Sequence, residues 1–307
     1  MRMAGNGGGK ICGRGELWRG AIRATFDCAI DWFSDWSFVE RLFAMPTPFY
    51  TAENCSTAYH LHYTWTGWPT AGTCFGDCPD LTQLDEQWQA DGLRRIEVNW
   101  SNQQVQFTFS VTPAVIPTFF TGRVKGRLQH ALREAGTPVK FSRKVCFRAI
   151  GDNHSDEVQK YIAQQVPKER FVDPRFEQML LQFTKVSNVD RFQEPLASNS
   201  GRYWYNLHVV LVVAGRGHIE SRKQLEMLDE ALEATAAKHQ YDLVARSWLL
   251  DHLHIGMRGN ISESPLEIAL SIMNNTAYRI RRSAFWQSGF YVGSFSEYDL
   301  NAVRTLR

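Results

Sequence analysis

From Met45 onward the chain runs through one succession of hydrophobic periodicities twice, and that repeat confines it to an architecture of two similar α+β units. The first unit opens with a β-branched and aromatic run, Ala58–Trp65, and the second with Tyr203–Val213. A loop and a helix follow each: about Leu81–Ala90 in the first unit, and Glu220–His239 in the second. Leu225, Leu228, Leu232 and Ala236 share one face of the latter helix. Apolar hairpin segments come next, Ile96–Val111 and Tyr241–Met257. Proline-marked turns (Pro113 and Pro117; Pro265) then lead into helices Thr118–Glu134 and Leu266–Arg282. Aromatic strands close the pattern at Val139–Ile150 and Phe285–Phe295, and the first unit continues into a third helix, Ser155–Gln165.

Each unit thus reads β-α-β-β-α-β-α, the second reaching Arg307 during or just after its last helix. The expected fold is α+β: two tandem ferredoxin-like domains, each an antiparallel sheet with helices on one face, forming a pseudo-dimer. The expected boundaries are an extension at 1–44, a first domain at 45–165, a linker at 166–200 and a second domain at 201–307. The linker carries a helix at Pro174–Phe183 and a polar loop at Glu194–Ser200. Residues 1–44 are glycine-rich and then Trp/Phe-rich, and Met45-Pro46-Thr47-Pro48 reads as an alternative start.

Apolar residues make up 44% of the chain and charged residues 21%, as in soluble globular proteins. No apolar run reaches the roughly 18–20 residues of a membrane span. The six cysteines form no dense framework, and a reducing cytoplasm is the expected location. Net charge is only +2, but its distribution is uneven. Between Arg123 and Arg148 the cations Arg123, Lys125, Arg127, Arg133, Lys140, Arg143, Lys144 and Arg148 face a single acid, Glu134. Such a block reads equally as a phosphate-binding surface or as a solvated helix face.

Asp251-His252-Leu253-His254 lies in an apolar run near the C-terminus. On a strand, residues two apart share a face, so His252 and His254 present both imidazoles together while Leu253 anchors the other side. Two neutral imidazoles suit a divalent metal, with Asp251 as a hydrogen-bonding partner behind them. A His-x-His step is also common among ordinary surface and core histidines.

The run Trp248-Leu249-Leu250-Asp251-His252-Leu253-His254-Ile255-Gly256-Met257 resembles the signature strand of the HUH endonucleases. With Ala284-Phe285-Trp286-Gln287-Ser288-Gly289-Phe290-Tyr291-Val292-Gly293-Ser294, the second unit resembles the IS200/IS605-type single-tyrosine transposases over about residues 203–307. That resemblance implies a tyrosine nucleophile on the last helix of a unit and a glutamine ligand four residues later. Tyr161 and Gln165 of the first unit match, one helical turn apart, so the resemblance extends to about residues 58–165.

Each unit lacks what the other has. Counting back from Pro113, the first unit has Gln104-Val105-Gln106 where the second has its histidines. The second has Val303 or Leu306 near the tyrosine position, with Tyr291 and Tyr298 as substitutes. In the resembled family a dimer builds each site from both subunits. The implied reading is a fused pseudo-dimer, possible as a monomer, with one working site. His252, His254 and Gln165 hold Mg²⁺ or Mn²⁺, and Tyr161 attacks single-stranded DNA beside a hairpin to leave a 5′-phosphotyrosine. Lys160 is a nearby cation for the phenol. Phosphates would meet Arg123, Lys125, Arg127, Lys140, Arg143, Lys144, Arg279, Arg281 and Arg282. Two other readings remain open: a DNA-binding protein without chemistry, and a metal-dependent phosphoesterase without a covalent step.

Overall fold

The computed structural model describes residues 47–219 and 221–297. The extension at 1–44, Tyr298, Val303 and Leu306 lie outside the described residues. In chain order these form β1 (Ser56–His60), β2 (His62–Gly67), α1 (Thr82–Ala90), β3 (Leu93–Trp100), β4 (Val105–Val111), α2 (Pro117–Glu134), β5 (Val145–Ile150), α3 (Ser155–Ala163), α4 (Gln165–Lys168) and α5 (Pro174–Leu181). They continue with β6 (Lys185–Val186), β7 (Leu196–Ala197), β8 (Gly201–Trp204), β9 (Asn206–Val213), α6 (Arg222–His239), β10 (Asp242–Trp248), β11 (His252–Arg258), α7 (Pro265–Arg279) and β12 (Trp286–Ser294).

Helix starts follow local chemistry. Pro117 opens α2, where its missing N–H costs nothing, and Phe120, Val124, Leu128 and Leu132 recur every four residues on the buried face. Ser264 and Glu267 cap the start of α7 reciprocally, with Pro265 at its first position. Ser221 accepts from the Gln224 amide at the start of α6.

The strands form two six-stranded mixed sheets. One has the order β3-β4-β2-β5-β8-β7 and the other β1-β12-β9-β11-β10-β6. The central four in each, β3-β4-β2-β5 and β10-β11-β9-β12, pair antiparallel throughout and follow the same order.

The outer strands differ from the sequence expectation. The runs expected as single strands, Ala58–Trp65 and Tyr203–Val213, each break at one buried residue, Leu61 or Tyr205. The piece before each break leaves its own sheet. β1 adds parallel to β12 of the second half, Ser56 opposite Gly289 through His60 opposite Gly293. β8 adds parallel to β5 of the first half, Val145 opposite Gly201 through Arg148 opposite Trp204. The sheets are therefore mixed rather than purely antiparallel. The segment expected as a linker contributes edges as well: β6 pairs with β10, and β7, inside the expected loop, pairs with β8. From Pro48 on, the chain clusters as one unit without a division between the halves.

Alternation along β9 and β11 separates two faces of the second sheet. Leu207, Val209, Leu211, Leu253, Ile255 and Met257 belong to the main core with Leu225, Leu228, Ile268 and Ile272 of α6 and α7. Helix α3, from the first half, covers the other face: its Val158 and Ile162 pack with Phe192, Val244, Ala245 and Phe295. The helices therefore do not all lie on one face, because the third helix of one half crosses to the sheet of the other.

That crossing is pinned at Ser294. Its hydroxyl accepts from the His62 amide at 2.9 Å and donates to the Ile150 carbonyl at 2.5 Å. Gly151, the next residue, passes so close that a Cβ there would sit 2.0 Å from the Ser294 carbonyl oxygen. Beyond it, the Ser155 amide donates to the Ser296 carbonyl at 2.9 Å and the Glu157 carboxylate caps the His154 amide at 2.9 Å.

Candidate active site

His252 and His254 stand on β11 on the face turned toward α3, with ring centroids 4.9 Å apart. The register sets His254 opposite Val210, while Leu253 opposite Leu211 points into the core. Asp251 precedes the strand and turns its carboxylate back, one oxygen 2.6 Å from His252 Nδ1 and the other accepting from Arg216 at 2.9 Å. Burial opposes the charged carboxylate, but the hydrogen bonds from Arg216 and His252 prevail and hold its pKa below the ordinary value. A carboxylate only accepts, so His252 carries its proton on Nδ1 and its Nε2 lone pair is free of that bond.

His208, which sequence reasoning did not single out, joins the pair from β9. Its Nε2 lies 3.2 Å from His254 Nδ1, and the rings are stacked at 5.4 Å with a 20° tilt. Burial pushes His208 down to about 4. Burial, with repulsion from His208 and His252, pushes His254 down to about 3. Both are neutral at pH 7, and when His254 donates through Nδ1 its Nε2 is left as an electron-pair donor. The available signal was strand alternation alone, which puts His208 on the face of Val210 and Val212.

Tyr161 approaches these histidines from the other half of the chain. Its ring is 5.4 Å from His254 and 5.9 Å from His208, edge-on to both, and the side chain is 44% exposed. The close seat of α3 uses Gly256, whose missing Cβ would come within 3.0 Å of Ile162 Cδ1. Lys160, expected to assist the phenol, instead pairs with Asp156 at 3.3 Å. Lys168, one short helix later, holds its Nζ 5.0 Å from the centre of the Tyr161 ring.

Gln165 does not continue the helix of Tyr161 as the spacing predicted. Helix α3 stops at Ala163, Gln164 takes φ −93° and ψ 2°, and Gln165 begins α4. Its amide nitrogen donates back to the Tyr161 carbonyl at 2.7 Å. Among the described residues no group of three or more His, Cys, Asp or Glu side chains is arranged to hold a metal ion. The fit to a divalent cation rests on two neutral imidazoles, each engaged through Nδ1. Only the nitrogen of the Gln165 amide is committed to its own turn; the atom that would meet a metal is the amide oxygen.

Tyr291 on β12 is opposite Val210, its ring 5.9 Å from His208, and burial raises its pKa. In the first half, the hairpin pairing Trp100 with Val105 repeats the one pairing Trp248 with Leu253, so Gln104 and Gln106 stand where His252 and His254 do. Gln106 donates to Thr66 Oγ1 at 3.3 Å.

The cations divide into two groups. Arg127 is tied to Asp91 at 2.7 Å and to Gln87, Lys125 donates to the Ser142 carbonyl at 2.7 Å, and Arg279 pairs with Glu230 at 2.9 Å. Arg123 lies over the Phe119 ring at 5.0 Å, while Lys140, Arg143, Lys144, Arg281 and Arg282 are exposed.

Residues 202–305 match the family model described as "Transposase IS200 like". The matched segment is transposase-like and includes the His252 and His254 strand; Tyr161 lies outside it. No curated protein matches the chain. Among solved structures, the ligand-free regulatory subunit of aspartate kinase from Thermus thermophilus aligns at 10% identity over 71% of this chain and 93% of that chain, with a TM-score of 0.18. Among the described residues no helix is long and apolar enough to cross a membrane.

Proposed function

We propose that the chain is a transposase-like single-stranded DNA endonuclease and strand transferase, built as a fused pair of ferredoxin-like units with one composite site. The observation that carries this reading is the contact of Tyr161, from the first half, with His254 of the transposase-like second half. The β-α-β-β-α-β order and the shared order of the central four strands support the tandem arrangement.

His252 and His254 would hold Mg²⁺ or Mn²⁺ through Nε2, with the Gln165 amide oxygen as a further donor. A bound divalent cation supplies Lewis-acid polarisation of a phosphate oxygen. Asp251 and His208 keep the two imidazoles in the required tautomers. The Tyr161 oxygen attacks the scissile phosphorus, an Oη–P bond forms, the P–O3′ bond breaks, and the departing 3′ oxygen takes up a proton. The reverse attack by a free 3′-hydroxyl rejoins strands. Lys168 brings a positive charge to the Tyr161 ring, where a phosphate would be drawn. Lys140, Arg143 and Lys144 offer exposed charge to DNA phosphates, sequence-independently. Gln104 and Gln106, amides in place of imidazoles, make the matching site of the first half inactive. The break at Gln164, which takes Gln165 off the helix of Tyr161, favours a second reading, a DNA-binding protein without chemistry, and one experiment separates the two.

End-labelled single-stranded hairpin DNA incubated with the protein and Mn²⁺ should yield a covalent adduct stable to denaturing electrophoresis. The adduct should be absent with Tyr161→Phe and with His254→Ala. An adduct surviving in Tyr161→Phe would overturn Tyr161 as nucleophile and direct attention to Tyr291 and Tyr298. No adduct with any variant or DNA, alongside intact DNA binding, would establish the second reading.

A further inference from the structure

Beside Tyr161 and His254 the structure contains a cleft of about 490 Å³. Its walls include Tyr161, Tyr291, His208 and Val210, and Asn153 and Glu157 stand at its exposed rim. Its volume lies in the range of small-ligand sites, about 300–1,000 Å³, which is far more room than a phosphate requires. The chemistry of the walls is mixed in a specific way. Aromatic faces and a valine offer stacking and apolar contact, while the polar groups gather at one edge. Glu157 and Tyr161, one turn apart, line one side of α3, and Asn153 joins them from the bend just before the helix. Opposite them, Tyr291 and His208 rise from neighbouring strands with their rings 5.9 Å apart. Among the described residues, the Asn153 amide and the Tyr161 and Tyr291 hydroxyls make no intramolecular hydrogen bond. Glu157 uses one carboxylate oxygen to cap the His154 amide.

We propose that this cleft receives a single nucleobase, that of the nucleotide flanking the scissile phosphate, turned out of its stack. The inference rests on the strand-transfer reading for what the base is attached to, and on the cleft itself for what is recognised. Aromatic walls bind any base by stacking and do not discriminate. Discrimination comes from the rim. A carboxylate only accepts hydrogen bonds, so Glu157 selects a base presenting an exocyclic amino group at that edge, adenine, cytosine or guanine, and disfavours thymine, which carries none. The Asn153 amide donates and accepts, so it adds affinity to each of these bases and, with adenine, can pair through two bonds.

The test uses wild-type protein, Mn²⁺ and hairpin DNAs that differ only at the flanking nucleotide: A, C, G, T or an abasic residue. Adduct formation should favour A, C or G over T by about tenfold or more, and should be slowest on the abasic DNA. Glu157→Gln keeps an oxygen to cap His154 but adds a donor, and should bring the ratio to T within about twofold. Independently of chemistry, Tyr161→Phe protein irradiated with DNA carrying 5-iodocytosine at that position should crosslink through the peptide containing Tyr291. Equal rates on all five DNAs, a preference untouched by Glu157→Gln, or crosslinks mapping only outside the cleft would overturn the proposal. If the wild type forms no adduct on any DNA, the strand-transfer reading fails. The crosslink then decides the cleft alone: present at Tyr291 it supports a base site, and absent it removes one.

Discussion

Gly151→Ala should uncouple the composite site while leaving both sheets intact. Gly151 is the point at which the chain leaves β5 of the first sheet to enter α3 on the second. A Cβ there would lie 2.0 Å from the Ser294 carbonyl oxygen, 3.0 Å from its carbon and 3.4 Å from Phe295 Cα. All three are backbone, held by the Ser294 hydroxyl between His62 and Ile150. Carbon–oxygen contacts settle near 3.3 Å, so alanine must drive the two segments apart by about 1.3 Å. Overpacking of this kind costs about 1–3 kcal/mol, or a few degrees in Tm for a chain of this size. The effect on chemistry should be larger. Helix α3 starts only a few residues on and carries Tyr161, and a misplacement of about 1 Å can cost on the order of 100-fold in rate. Gly256→Ala is the matched control. Its Cβ would meet the end of the Ile162 side chain at 3.0 Å, which yields by a few tenths of an ångström, so the rate should fall less than about threefold. Single-turnover adduct formation and urea unfolding on the same preparations give both quantities. Gly151→Ala reacting at the wild-type rate would refute the argument that this crossing sets the position of Tyr161.

Three further outcomes follow from the site. Asp251→Asn should weaken Mn²⁺ binding by about 10–100-fold, as read by titration of the protein without DNA; unchanged affinity would mean that Asp251 does not set the His252 tautomer. Gln104→Ala with Gln106→Ala should leave adduct formation within about twofold of wild type, and a tenfold fall would count against a single working site. In metal-free protein His208 and His254 are depressed from 6.5 to about 4 and about 3, so between those values and 6.5 the unfolded chain binds more protons. Their stabilising contribution is therefore complete above about pH 6.5 and is lost as pH falls toward 4 and 3, each by up to about 1.4 kcal/mol per pH unit. Urea unfolding at pH 7 and pH 5 should show a smaller difference in His208→Asn than in wild type; equal differences would argue against neutral burial of His208.

Much of the secondary structure is legible because its causes are local. Pro117, the Ser264-Pro265-Glu267 start and the Leu225, Leu228, Leu232 stripe locate α2, α7 and α6 to within a few residues. The two hairpins were visible as apolar runs, and the tyrosine and the His-Leu-His step could be named. Other parts leave no local trace. Ala58–Trp65 and Tyr203–Val213 read as unbroken strands because both pieces of each are strands, and only their distant partners show that they divide. His208 is a lone histidine in an apolar strand, and Lys168 lies past the expected end of its helix. Gln165 matched by spacing, yet one residue with φ −93° and ψ 2° ends the helix and redirects its amide.

By itself, the sequence determined which side chains share a face. The periods of strands and helices are local properties, and they set His252 with His254 and kept Leu253 apart from both. Only the tertiary structure decided which half of the repeat each face meets. The deciding contacts join residues far apart in the chain: Ser56 with Gly289, Ile150 with Ser294, Ile162 with Gly256. Those pairings exchange the first strands between the sheets and carry α3 across to the second one. Tyr161 and His254 become neighbours as a consequence, at a sequence distance over which periodicity carries no information.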